Sequence, residues 1–204
     1  MITIVDYGVG NIKSFVNVYN RLNIPVKIAK NSSDLEDAHR LILPGVGHFE
    51  NAMSELIKSG MREKLDELVL VKKIPVIGIC VGMQMMGNYS EEGTSEGLKW
   101  IDASVKKLDE TKINQITRLP HMGWNDVYST KPHILFEGLE KEALFYFLHS
   151  YYFECNNKSN ILAQTEYGDS FTCAAFNENI YGIQFHPEKS HKYGEILLNN
   201  FSKI

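Results

Sequence analysis

The chain has 204 residues and a formal net charge of −4, with 44% apolar and 23% charged residues. These proportions exclude a disordered or fibrous chain, and the length suits one well-packed domain better than two. Lysines and arginines are scattered rather than gathered into a basic stripe, so no nucleic-acid partner is expected.

After Met1 the run Ile2 to Val5 reads as a strand and lacks the basic start and long apolar stretch of a signal peptide, so a cytoplasmic location is expected. Amphipathic and apolar segments then alternate: a helix over Ile12 to Leu22, a strand over Val26 to Ala29, a strand over Leu41 to Leu43, a helix from Phe49 to about Leu70, and a strand over Pro75 to Ile79. Continuous Val, Ile and Leu runs separated by helices imply parallel strands buried on both faces. The predicted fold class is therefore α/β, a single domain with a central, mostly parallel sheet and helices on both faces.

The second half changes character. Short β-like pieces bounded by turn residues cover Trp124 to Tyr128, Leu144 to Leu148, Tyr151 to Glu154, Ile161 to Gln164, Thr172 to Phe176 and Tyr181 to Gln184, which predicts antiparallel additions to the sheet. A last amphipathic helix over Tyr193 to Phe201 offers Ile196, Leu197, Leu198 and Phe201 for packing. No repeat or long linker divides the chain, and no apolar run approaches the roughly 18 residues of a membrane span, so no membrane partner is expected. Cys80, Cys155 and Cys173 lack the paired spacing of a zinc site or a disulfide framework, and no metal is expected.

The sharpest local signal is Gly78-Ile79-Cys80-Val81-Gly82, which follows an apolar run and precedes a short helical stretch over Met83 to Met86. It reads as a nucleophile elbow with cysteine in place of serine. Small neighbours are needed there because side chains two positions to either side would collide with adjacent backbone. Such a turn exposes the sulfur, sets it at the positive end of a helix and aims the next amide N–H at the reaction centre.

Near the other end, Gly182-Ile183-Gln184-Phe185-His186-Pro187-Glu188 supplies a base and an acid together. A cysteine nucleophile needs an imidazole to take and return a proton, and the imidazole is best held by a carboxylate on its far nitrogen. His186 and Glu188 suit those roles, and Pro187 between them restricts the backbone. Taken separately, each segment is compatible with a plain structural role: a core cysteine, a histidine at a strand end, a solvated Glu–Lys pair.

Two glycine-bearing loops follow predicted strands. In Pro44-Gly45-Val46-Gly47 the glycines let backbone approach a ligand and present N–H groups toward it. Asp6-Tyr7-Gly8-Val9-Gly10-Asn11 has the start of a dinucleotide fingerprint without its third glycine, so no cofactor is expected.

Together the cysteine elbow, the PGVG loop and the HPE segment resemble the class I (triad) glutamine amidotransferases. Five segments in the family's order are similar to its imidazole glycerol phosphate synthase glutaminase branch: Asp6 to Asn11, Pro44 to Gly47, Pro120 to Asn125, His149 to Tyr152 and Thr165 to Gly168. The resemblance implies a class I glutamine amidotransferase fold spanning 1–204 and hydrolysis of L-glutamine. It also implies a heterodimer with a (β/α)8 barrel synthase subunit that receives the ammonia. Carried over by residue, Cys80 is the nucleophile, His186 the proton shuttle and Glu188 its orienter. Val46, Gly47 and Val81 belong to the oxyanion site, and Gln84, Ser150 and Tyr151 to the glutamine-binding site. Tyr7, Asn11, His121, Met122, Trp124 and Asn125 face the partner near the ammonia exit. The family's oxyanion loop is misaligned until the partner is loaded, which implies low activity for the isolated chain.

Three alternatives stay open at this level. One keeps the chemistry but sends ammonia to a nucleotide sugar, a branch to which Ser190 to Gly194 is similar. The others are a non-catalytic scaffolding subunit and a peptidase or other hydrolase on a related elbow fold.

Overall fold

The computed structural model describes residues 1–140 and 143–204. Its first half contains β1 (Ile2–Val5), α1 (Ile12–Arg21), β2 (Val26–Ala29), β3 (Leu41–Gly45), α2 (Phe49–Lys58), α3 (Arg62–Asp66), β4 (Val76–Cys80) and α4 (Val81–Met85). There follow β5 (Tyr89–Ser90), β6 (Ala103–Lys107), β7 (His121–Asp126), β8 (Tyr128–Ser129) and β9 (Leu144–His149). The chain ends with β10 (Tyr151–Cys155), β11 (Ile161–Tyr167), β12 (Asp169–Asn177), β13 (Ile180–Ile183) and α5 (His191–Phe201).

The main sheet runs in the order β2-β1-β3-β4-β13-β12-β10-β6-β5, with β11 on β12 and β8 on β11. Strands β2, β1, β3, β4 and β13 are mutually parallel neighbours, and from β12 onward the pairing turns antiparallel, apart from β5 with β6. Apart from β13, this is the predicted division between halves. The sequence Ile-Thr-Ile-Val of β1 is buried at every position, as a strand covered on both faces requires. Helix α1 places Ile12, Phe15, Val16, Tyr19 and Leu22 at helical spacing, and Phe15 and Tyr19 are fully buried from it.

Three differences from the sequence reading have physical causes. The helix expected from Phe49 to about Leu70 is interrupted after Lys58, because Gly60 adopts φ +69° and terminates α2 in the left-handed conformation. The chain resumes as α3 and ends in a π-helical turn over Glu67–Val71. Strand β13 belongs to the parallel core, since it pairs with β4 in the register Gly182 to Gly78 and Ile183 to Ile79.

The third difference matters most for function. Strands β7 and β9 do not join the main sheet; they form a separate antiparallel ribbon. Along β9 the side chains of Phe145, Phe147 and His149 are buried while Leu144 and Leu148 are exposed. Phe185, just past β13, packs on Phe145 and Phe147 with ring centroids 4.1 Å and 5.6 Å away. Burial of each such ring contributes about 1.5–3 kcal/mol and ties the ribbon to the carboxyl edge of the parallel strands. Ligands of open parallel sheets bind at that edge, where loops from adjacent strands converge.

Candidate active site

Cys80 stands at the carboxyl end of β4, with φ +56° and ψ −114°. A non-glycine residue held in that region costs about 1–3 kcal/mol and persists only where its surroundings enforce it. Here the enforcement is close packing. A Cβ built on Gly82 would lie 1.9 Å from the Leu43 carbonyl oxygen, and one on Gly78 would lie 2.6 Å from the Gly82 oxygen. One on Gly45, the register partner of Cys80 on β3, would lie 2.5 Å from the Gly82 nitrogen. The glycines thus let β3, β4 and α4 meet at a spacing no side chain permits. The amide of Val81 opens α4, where N–H groups have no partner within the helix.

His186 follows β13, the strand beside β4. Its amide donates to the Tyr146 carbonyl at 2.8 Å. The Ser190 hydroxyl donates to the His186 carbonyl at 2.6 Å and accepts from the Tyr146 amide at 3.0 Å. A short 3₁₀ turn over Pro187–Lys189 swings Glu188 back so that its Oε1 lies 2.9 Å from His186 Nδ1. Both side chains are almost wholly buried, at 4% and 1% exposure. Burial pulls the imidazolium down, but the neighbouring Cys80 sulfur and the Glu188 carboxylate outweigh it and raise the His186 pKa to about 10. Among the described residues the buried Glu188 Oε2 has no hydrogen-bond partner, so Oε1 alone makes the contact to the ring.

A cleft of about 650 Å³ opens over these residues, lined among others by Val46, Gly47, Cys80, Val81, Gln84, Ser150, Tyr151 and His186. It brings together Cys80 and His186 of the expected triad, with Glu188 behind His186, and all six expected oxyanion and glutamine-binding residues. A larger cavity of about 900 Å³ between Asp126 and Ala143 contains none of them. Size is therefore a poor guide here, because chemistry requires the sulfur and the imidazole at the wall of the pocket. Val46 and Gly47 are exposed at the rim, and Gly47 has φ +82°. Gln84 is buried, and both hydrogens of its amide are committed, to the Tyr151 carbonyl at 3.1 Å and to Gln184 Oε1 at 3.0 Å. Only its Oε1 remains for a ligand.

The six residues expected at a partner face divide. Met122 and Trp124 are exposed at 62% and 46%, on the outer side of the ribbon, and Asn11 and Asn125 are half-buried. Tyr7 and His121 depart from the expectation, for they are buried. The Tyr7 hydroxyl donates to the Pro44 carbonyl at 2.6 Å, bracing the PGVG loop from below, and burial together with nearby Cys80 pushes its phenol well above the usual range. His121 is stacked between Tyr167 and Phe147, with centroids 4.0 Å and 4.8 Å away. Alternation along a strand explains the split: in β7 one side faces inward at His121 and the next outward at Met122.

Three residues not singled out in the sequence also touch the site. The Leu148 carbonyl lies 3.9 Å from Cys80 Sγ, Gln184 Nε2 lies 3.7 Å from the same sulfur, and His149 lines the cleft. Period-two burial of β9 and the position of Gln184 two residues before His186 were the available signals, but neither reveals where a side chain ends. Among the described residues no group of three or more His, Cys, Asp or Glu is placed to hold a metal ion, and no helix is long and apolar enough to cross a membrane.

Comparison with known proteins agrees with this geometry. The family model for glutamine amidotransferase class-I matches residues 3–204. The chain is 53% identical over 204 residues to the imidazole glycerol phosphate synthase subunit HisH of Bdellovibrio bacteriovorus, covering 100% of both chains. It is 49% identical, again over 100% of both, to the subunit of that name from Leptospira borgpetersenii. A solved glutamine amidotransferase superposes with a TM-score of 0.75 at 19% identity, covering 99% of this chain and 97% of the other, which is a likeness of fold. With a cysteine elbow, an adjoining His–Glu pair and a family match over nearly its whole length, the chain belongs to the class-I glutamine amidotransferases.

Proposed function

We propose that the chain is the glutaminase subunit of an imidazole glycerol phosphate synthase. It hydrolyses L-glutamine to glutamate and ammonia, and the ammonia passes to a (β/α)8 barrel partner that makes imidazole glycerol phosphate and AICAR in histidine biosynthesis. The observation that carries the reading is the cleft that holds Cys80 beside the buried, Glu188-paired His186, in a chain about half identical to subunits of that name.

Cys80 Sγ attacks the side-chain carboxamide carbon of glutamine, and His186 keeps the thiol proton. The N–H of Val81, with one from the PGVG loop at Val46 or Gly47, holds the oxyanion. His186 returns the proton to the leaving nitrogen, the C–N bond breaks, and ammonia leaves a glutamyl thioester. Water, deprotonated by the same ring, attacks that carbonyl; the C–S bond breaks and glutamate departs. Glu188 holds Nδ1 throughout, which leaves Nε2 for both transfers. Loss of one oxyanion donor costs on the order of 100-fold in rate.

Substrate polarity fits the remaining groups. Gln84 Oε1 accepts from the α-ammonium of glutamine, while Ser150 and Tyr151 line the approach. Met122, Trp124, Leu144 and Leu148 form an exposed apolar face on the ribbon that reaches the cleft at Leu148, whose carbonyl adjoins the sulfur. A partner docked on that face sits beside the point where ammonia forms, and this supports the heterodimer. The shared name of the relatives favours histidine biosynthesis over nucleotide-sugar amidation.

The test measures glutamate release by the wild-type chain and by Cys80→Ala, each alone and with the co-encoded synthase holding its substrate. Release that needs the partner and disappears in Cys80→Ala is expected. Glutamate release by Cys80→Ala equal to wild type would remove the nucleophile from the mechanism.

A further inference from the structure

Gln184 is fully buried at the end of β13, two residues before His186. Its amide has one hydrogen-bonding orientation, and the Tyr151 backbone carbonyl determines it. That oxygen only accepts, so the Gln84 group facing it at 3.1 Å must be Nε2. Gln84 Nε2 spends its other hydrogen on Gln184 at 3.0 Å, so the atom received there must be Oε1. The remaining end of the Gln184 amide is then the nitrogen, and it points to Cys80 Sγ at 3.7 Å.

We propose that Gln184 is a further catalytic residue of this site, whose side-chain N–H, held by Gln84 and the Tyr151 carbonyl, donates to the Cys80 sulfur and favours its reactive thiolate. The inference deepens the glutaminase reading, since it concerns the same nucleophile. A buried donor at fixed orientation stabilises the charged form of its acceptor more than the neutral form, and pays no reorganisation when the charge appears. The carbonyl of Leu148, 3.9 Å from the sulfur, can only accept and so favours the thiol. Gln184 offsets it. The titratable groups nearest the sulfur are His186, backed by Glu188, and Tyr7 beneath, while His48, Glu92, His149 and Lys189 line the same cleft. None of these is a neutral, permanent donor, whatever the pH, as a primary amide is.

The experiment compares the wild-type chain with Gln184→Met, which keeps length and flexibility without a donor, and with Gln184→Glu, which keeps the shape and the acceptor for Gln84. The first readout is the rate at which iodoacetamide alkylates Cys80 at pH 7, followed on the Cys80 peptide by mass spectrometry. Thermal melting of each variant verifies folding, and should Gln184→Met fail to fold, Gln184→Glu carries the comparison. The expected result is a rate roughly 3- to 10-fold below wild type in both variants, the range of one ordinary hydrogen bond. With the loaded partner, kcat for glutamine falls by a similar factor while KM stays within about twofold. Wild-type alkylation in either folded variant overturns the proposal, as does loss in Gln184→Met with full retention in Gln184→Glu, which would mean that the side chain only fills space. Alkylation needs neither glutamine nor partner. A wild-type chain that alkylates readily yet never releases glutamate would therefore count against the amidotransferase reading and leave the role of Gln184 intact.

Discussion

The rings of His121 and His149 meet nitrogen to nitrogen, Nδ1 to Nε2 at 3.1 Å, and the Tyr151 carbonyl, 2.8 Å from His149 Nδ1, sets the direction of their protons. His149 donates to that carbonyl from Nδ1 and accepts at Nε2. His121 must then donate from Nδ1 and accept at Nε2, where Asn125 Nδ2 stands 3.3 Å away. Burial lowers the pKa of His149 to about 3 and of His121 to about 4, so both rings are neutral. Nitrogen-15 spectra of the histidines are expected to show both as Nδ1–H tautomers at pH 7. A chemical shift pattern of the Nε2–H form at either ring would break the chain at that link.

The same groups shape stability against pH. The unfolded state takes up protons on His121 and His149 below about 6.5, whereas the folded state resists until about 4 and 3, so stability falls as pH drops through that window. His186 has the opposite sign. Its folded pKa near 10 adds stability that is fully present below about 6.5 and lost as pH rises toward 10. Denaturant unfolding from pH 4 to 9 is expected to give a maximum near pH 6.5, with losses on the order of a few kcal/mol at the acid end. A flat profile would contradict the buried neutral pair.

Replacement of Glu188 by Gln keeps a hydrogen-bond partner for His186 but removes its negative charge. Less charge faces the imidazolium, so the ring holds the transferred proton more weakly. Glutamate release with the loaded partner is expected to drop on the order of 10- to 100-fold with KM little changed. Steady-state kinetics of Glu188→Gln against wild type measures this.

Two glycines of the site are expected to respond differently to alanine. In Gly82→Ala the new Cβ meets the Leu43 carbonyl at 1.9 Å, and backbone must move; the cost is more than about 3 kcal/mol. In Gly47→Ala no described residue lies within 4 Å of the new Cβ, and the strain of φ +82° alone costs on the order of 1 kcal/mol. Urea titrations of the two variants rank them directly.

Trp124 is stacked on His191, with centroids 5.3 Å apart and planes 7° from parallel, and remains 46% exposed. Trp124→Ala is expected to weaken binding of the proposed synthase partner by at least about tenfold, as truncation of an interface aromatic does, while the isolated chain melts within a few degrees of wild type. Calorimetric titration and thermal melting separate the two effects.

How much of this was legible beforehand follows from the range of each interaction. The parallel strands of the first half, α1, the elbow and the HPE turn could be read because each is specified by neighbours in the chain: apolar spacing, small residues around Cys80, and a proline between His186 and Glu188. The break in α2 depended on one glycine whose conformation no pattern announces. The tertiary structure alone decided that β7 and β9 leave the sheet, that Tyr7 and His121 turn inward, and that one carbonyl at Tyr151 orients both Gln84 and His149. Gln184 reaches Cys80 across 104 residues of chain. Sequence periodicity specifies which face a residue occupies, whereas the partner of a buried polar atom is chosen by packing among segments far apart in the chain, where every donor must find an acceptor.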